Sequence, residues 1–174
     1  KGTFKVTISG VMAPSGIEKI QIPTWCSDNQ SDIVWYTAIK EAEGIYSATM
    51  DVKKHSYHFG NYKMSVYATM GNGIFTGVCA GSQTINPDNY LYSKYVSASQ
   101  REVWLLGANA EQVQFPTWSE TNGQDDIVWY SGVNRGNGTW SVTVDSNNHK
   151  HGGKYNTHAY VAKNGVRSAV GSTS

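Results

Sequence analysis

Carboxylates and imidazoles recur along this chain in a pattern that proton-transfer chemistry would use. Asp51 and His55 return as Asp145 and His149, and Asp32, just ahead of an apolar run, returns as Asp126. A carboxylate and an imidazole held together can serve as an acid/base pair. The plainer use of a short acidic side chain in a loop is to accept backbone N–H bonds. No serine or cysteine nucleophile recurs beside the histidines in both copies, so His55 and His149 read as buried or loop-bracing groups rather than bases. Metal ligation fares no better. His55 with His58, and His149 with His151 and His158, differ in spacing between copies, and no ligating cysteine recurs, so neither a metal site nor a cofactor is expected.

Aromatic side chains carry a second chemistry. Trp25 and Trp118 each follow a Pro-Thr pair and enter a loop rich in Ser, Asn, Gln and Asp. A flat ring flanked by amides and carboxylates suits a sugar, whose C–H face stacks on the ring while its hydroxyls take the polar neighbours. The same indoles are equally suited to closing the end of a core. The candidate ligand-binding residues are Trp25, Gln30, Asp32 and Tyr67 in the first copy, and Trp118, Asn122, Gln124, Asp126 and Tyr160 in the second. Tyr67 and Tyr160 are expected to point away from the core. Trp35 and Trp129, inside apolar runs, are expected to fill it.

These residues belong to a duplicated element. Pro23 to Tyr36 returns as Pro116 to Tyr130 with one glycine inserted, and ten of the fourteen aligned positions are identical. An internal repeat of this kind divides the 174 residues into two small domains, expected at 1–85 and 101–174. Residues 86–100 have no partner in the first copy and are expected to form an aromatic-rich linker that packs against one or both domains. Strict alternation in Thr3 to Ser9 predicts a half-buried strand, and short β-branched and aromatic runs follow in both copies. Glu43-Gly44, Asn137-Gly138 and Asn164-Gly165 mark turns. With about six strands per copy and no helical periodicity, the fold class is all-β: two tandem small antiparallel immunoglobulin-like β-sandwich domains.

Composition narrows the partners. A net charge of +1 without a Lys/Arg cluster argues against nucleic acid and against an anionic membrane surface. No apolar run reaches the length of a bilayer span, and a leader, if there is one, is expected outside this piece. Cys26 and Cys79 occur only in the first copy. Their joint absence from the second fits a disulfide and an oxidising setting; two unrelated thiols fit as well.

At the Pro-Thr-Trp…Gln-x-Asp-Ile-Val-Trp-Tyr element the sequence resembles the GBS Bsp-like repeat, a module found in tandem in secreted and wall-associated proteins of Gram-positive bacteria, including peptidoglycan hydrolases. The second copy matches more closely, through Pro116 to Tyr130, Gly138-Thr139-Trp140, Asp145 to His149 and Gly153-Lys154-Tyr155; the first lacks the loop glycine and carries Cys26 and Ser31. The resemblance implies a secreted, wall-associated, non-catalytic attachment module. Together with the duplicated aromatics it leads to an expected partner: a cell-wall glycan, peptidoglycan or wall polysaccharide, bound weakly and bivalently by a monomer so as to hold a hydrolase or surface domain in place. A structural spacer and a protein-binding adhesin module are the alternatives.

Overall fold

The computed structural model describes all residues from Lys1 to Ser174. The chain divides into two compact units, Lys1–Asn86 and Pro87–Ser174, and each is an antiparallel immunoglobulin-like sandwich of two sheets. In the first unit one sheet runs β1 (Thr3–Ile8), β5 (Ile45–Asp51), β4 (Ile39–Ala42), and the other β3 (Val34–Thr37), β2 (Ile17–Trp25), β6 (Gly60–Met70), β7 (Phe75–Ile85). In the second unit one sheet runs β12 (Val133–Gly136), β13 (Thr139–Asp145), β9 (Gln100–Leu106), β8 (Tyr90–Tyr95). Its other sheet runs β11 (Val128–Ser131), β10 (Gln112–Ser119), β14 (Tyr155–Lys163), β15 (Val166–Thr173). The helical content is two short 3-10 turns, Val52–His55 and Ser146–Asn148, and no helix is long and apolar enough to cross a membrane.

Period-two alternation builds each core. On β2, Ile20, Ile22 and Thr24 turn inward and are fully buried, against Met50 of β5 and Met64, Val66 and Ala68 of β6. Gln21, Pro23 and Trp25 take the opposite face. On β10 the inward set is Val113, Phe115 and Thr117, packed among Val103, Leu105, Trp140 and Ala159. Each large apolar side chain buried in this way stabilises its unit by about 1.5–3 kcal/mol. The turns fall where Asn-Gly and Glu-Gly stand. Asn137 and Gly138 both have positive φ, 50° and 70°, the geometry of a type I′ hairpin that joins β12 to β13. A Cβ on Gly138 would also lie 2.9 Å from the Ala108 carbonyl oxygen.

Two features of the chain path differ from the sequence expectation. Residues 86–100 are not a linker: Tyr90–Tyr95 form β8, antiparallel to β9 from Tyr90↔Leu106 to Tyr95↔Arg101, and Leu91 packs on the second core. Its aromatic character is that of a half-buried strand. Second, the strand expected over Asp32 to Thr37 begins only at Val34, and the chain then switches sheets. Ala38 donates its N–H to the Ile20 carbonyl (2.9 Å) and Gly132 to that of Val113 (2.8 Å), after which β4 and β12 join the opposite sheet. The corner needs a small residue, since a Cβ on Gly132 would approach the Phe115 ring to 2.9 Å.

The first unit has no strand along β1 equivalent to β8. Val78 and Cys79 of β7, which occupy the register positions of Val170 and Gly171, are correspondingly exposed, Val78 by 45%. Both cysteines are free thiols. Cys26 follows β2 near Lys63, whereas Cys79 lies across β6 opposite Val66, so the disulfide reading fails on position. Burial pushes the Cys26 thiol up, and the carboxylates of Asp32 and Asp28 add to the rise. Because the thiolate is the reactive form, labelling with an aromatic disulfide reagent at pH 8 is expected to give one fast and one slow thiol. Cys79→Ser should remove the fast phase; loss of the slow phase instead would contradict this arrangement.

Candidate functional site

The duplicated Asp, His and Tyr side chains meet at one end of each sandwich. In the first unit Asp32 is 6% exposed and His55 fully buried. The His55 Nδ1 lies 2.8 Å from the Asp32 carbonyl oxygen; a carbonyl only accepts, so Nδ1 carries the proton and Nε2 is the acceptor. Tyr36 therefore donates its O–H to His55 Nε2 (2.9 Å) and accepts the Asp51 N–H (3.3 Å). The second unit repeats the tie: His149 Nδ1 donates to the Asp126 carbonyl (3.1 Å) and accepts from Tyr130 at Nε2 (3.0 Å). The Asp51 and Asp145 side chains cap the following 3-10 turns through the amides of Lys53 and Asn147. This geometry braces loops, since both ring nitrogens of each histidine are engaged, one by a backbone carbonyl and the other by a phenol.

The carboxylates of Asp32 and Asp126 turn the same way. Asp32 accepts the amides of Cys26 and Ser27 at 3.1 and 3.0 Å and the His58 imidazole at 2.9 Å; Asp126 accepts the Ser119 amide at 3.0 Å. Burial alone would raise both carboxyls. The His58 and Ser27 bonds at Asp32, and the Ser119 bonds at Asp126, outweigh it and hold both below the usual carboxylate range. His151, at the position of His58, turns instead to Asp125 (3.2 Å), and Asp126 Oδ2 stays buried without a hydrogen-bond partner.

The outer face of the β3-β2-β6-β7 sheet carries the aromatics. Pro23 lies opposite Trp35 and Gln21 opposite Tyr67, so Trp25, Trp35 and Tyr67 share one face. The Trp35 and Tyr67 rings stack at 5.6 Å, and Tyr67 stacks on Phe75 at 5.1 Å with only 8° between planes. In the second unit Pro116 lies opposite Trp129, Trp129 meets Tyr160 at 5.5 Å, and Trp118 meets the His158 ring edge-on at 4.8 Å. The Arg167 guanidinium lies over Trp129 and Tyr160, at 4.4 and 5.0 Å from the ring centroids. Trp35 is 50% exposed and Trp129 45%. The expectation that they fill the core is therefore reversed, because Tyr36 and Tyr130 take the inward positions beside them.

The structure thus brings Trp25 with Tyr67, and Trp118 with Tyr160, onto single faces, with Trp35 and Trp129 added. It does not bring the loop residues there. Asp32 and Asp126 are buried in their loops; Gln30, Asn122 and Gln124 are exposed turn residues. Gln30 and Asn122 hold positive φ, and the Gln30 and Gln124 carbonyls accept the amides of Ile33 and Ile127. Phe75 and Arg167 were missed. For Trp35 and Trp129, by contrast, the signal was available in the alternation of Val34-Trp35-Tyr36-Thr37 and its repeat, which allows only one of the two adjacent aromatics to face inward. A separate cavity of about 490 Å³ opens in the second unit, lined in part by Gln100, Arg101, Lys154 and Tyr155. In the first unit Phe4 holds the register position of Arg101 and packs on Tyr62 at 5.2 Å.

The model of the GBS Bsp-like repeat family matches the sequence twice, at residues 1–83 and 86–174. No curated protein matches. Similar solved structures include a tetra-tandem repeat from the extending region of a large adhesion protein, at 18% identity over 99% of this chain and 50% of that one, TM-score 0.36. GBS pullulanase SAP in complex with maltotetraose aligns at 12% identity over 95% of this chain and 21% of that one, TM-score 0.39. A two-domain fibronectin type-III segment from chicken tenascin aligns at 11% over 97% and 91%, TM-score 0.36. The chain spans half the length of the adhesion-protein structure and about a fifth of the pullulanase.

The loop carboxylates make stability pH-dependent. Their folded pKa values lie below the ordinary 3.8, so their contribution is present above that value and is lost as pH falls through the lower folded values. Denaturant unfolding is expected to show stability falling below about pH 4. Asp32→Asn with Asp126→Asn should start lower at pH 7 and change less across that window. His55→Ala, which orphans the Asp32 carbonyl and Tyr36 hydroxyl, is expected to cost about 3 kcal/mol.

Proposed function

The chain belongs to the GBS Bsp-like repeat family as two tandem copies, and from that premise we propose that it is a non-catalytic cell-wall attachment module binding peptidoglycan or wall polysaccharide through its two exposed aromatic faces. One observation carries the reading: each unit presents a cluster of aromatic rings on one outer sheet face, Trp25, Trp35, Tyr67 and Phe75 in one and Trp118, Trp129 and Tyr160 in the other, all of them on strands and Trp35, Phe75 and Trp129 about half exposed. Exposed aromatic patches of this kind are characteristic of binding surfaces. A pyranose offers an apolar C–H face to the rings, and Gln21, Gln114 and Asn156 on the same faces offer amides to its hydroxyls.

Two such faces on one chain favour a polymeric ligand. Each alone is shallow and weak; joined, the second contact forms at high effective concentration, and avidity rises without a new interaction. That suits a module whose task is to hold a secreted hydrolase or surface protein at the wall.

Sedimentation with purified Gram-positive walls tests the proposal. The tandem is expected to be retained. Trp35→Ala or Trp129→Ala, at half-exposed positions that leave the cores intact, should each weaken retention about tenfold, and the double variant should abolish it. Undiminished retention of the double variant would point to a protein partner or to another surface. No retention of the intact tandem would leave a spacer.

A further inference from the structure

The two aromatic faces differ at one position, and the difference is chemical. Phe75 pairs with Thr69 on β6, and Arg167 pairs with Ala162 on β14. The two sites are equivalent in register, each beside the outward tyrosine of its unit. In the first unit the position holds a neutral ring stacked on Tyr67. In the second it holds a cation, whose guanidinium carbon lies 4.4 Å from the Trp129 ring centroid and 5.0 Å from that of Tyr160. Building on the glycan reading above, we propose that the second face recognises an anionic sugar residue, one bearing a carboxylate, whereas the first takes neutral sugars.

A guanidinium carries five N–H donors in a planar fork that matches a carboxylate with two parallel hydrogen bonds. The protein does not fill this capacity. Arg167 is exposed and makes no ion pair or side-chain hydrogen bond, while Lys5, Lys63 and Lys154 are paired with Glu41, Asp28 and Glu120. The outward positions nearest to it on β10, β11 and β14 are Gln112, Gln114, Trp129, Ser131, Tyr160 and Ala162, with no carboxylate among them. Held against the rings, the side chain has also surrendered part of its rotamer freedom before any ligand arrives, which reduces the entropic cost of binding. The acidic group is thus recognised at the Arg167 guanidinium, beside Trp129 and Tyr160.

The test uses two probes with the same backbone: peptide-free glycan strands of alternating N-acetylglucosamine and N-acetylmuramic acid, which carry a free lactyl carboxylate, and chitin oligosaccharides, which lack it. Calorimetry is done on the full chain carrying Trp35→Ala, so that the second face reports. The carboxylated strand is expected to bind about tenfold more tightly than the chitin oligosaccharide, and the preference should disappear in 1 M salt. Arg167→Phe, which installs the residue that the first unit already tolerates there, should erase the preference while keeping the chitin affinity; unchanged thermal unfolding verifies its fold. Equal binding of the two probes, abolished by Trp129→Ala, would overturn the anionic assignment and leave the aromatic platform standing. Binding of neither probe would overturn both.

Discussion

The tie between the buried histidine and its inward tyrosine is the constraint on which each unit depends. His55 spans the Asp32 carbonyl and the Tyr36 hydroxyl, and Tyr36 in turn meets the amide of Asp51. A loop of one sheet, a strand of the same sheet and the end of a strand in the other are thereby joined by three hydrogen bonds in a buried setting, where an unmade bond costs far more than a made one gains. Tyr36 must face inward to take part. In an extended strand its neighbour then faces outward, so the same bond that closes the sandwich exposes Trp35. Core and binding surface are two sides of one register.

The second unit repeats this logic with small departures, and the departures locate its individuality. His151 leaves Asp126 for Asp125, the Phe4 position becomes Arg101, and the Phe75 position becomes Arg167. None touches the Asp-His-Tyr tie. Duplicated modules can diverge where side chains meet solvent because substitutions there are close to neutral for stability, whereas a change in the buried network unfolds the unit. Two faces with different chemistry on a common scaffold are the expected product of that asymmetry.

Rigidity matters to the binding role. The aromatics stand on hydrogen-bonded strands, Trp25, Tyr67, Trp118 and Tyr160 on central ones and Trp35, Trp129 and Phe75 on edge strands, and Pro23 and Pro116, opposite Trp35 and Trp129, form a buried floor beside them. Rings positioned in this way lose little freedom when a ligand stacks on them, which compensates for the shallowness of an open sheet face. The loop amides that the sequence nominated sit in turns whose positive-φ backbone is set by the turn itself, so they contribute shape to the loop ends and not to the platform.

The sequence alone determined the duplication, the all-β class, the hairpin turns at Asn137-Gly138 and Asn164-Gly165, and the outward direction of Tyr67 and Tyr160, because those depend on local periodicity and turn chemistry. It read His55 and His149 as loop braces and Asp32 and Asp126 both as acceptors of backbone amides and as ligand-binding candidates; the structure engages both carboxylates in their loops. What only the tertiary structure decided was which of two adjacent aromatics lies inside, that Tyr90–Tyr95 is a strand, where the chain changes sheet, and that the cysteines stay apart. Each of those depends on partners distant in sequence: a histidine nineteen residues from its tyrosine, a β9 edge for β8 to pair with, a Phe115 ring that leaves room at Gly132 for no side chain. Period-two patterning fixes that Trp35 and Tyr36 oppose one another; the long-range hydrogen bond chooses between them.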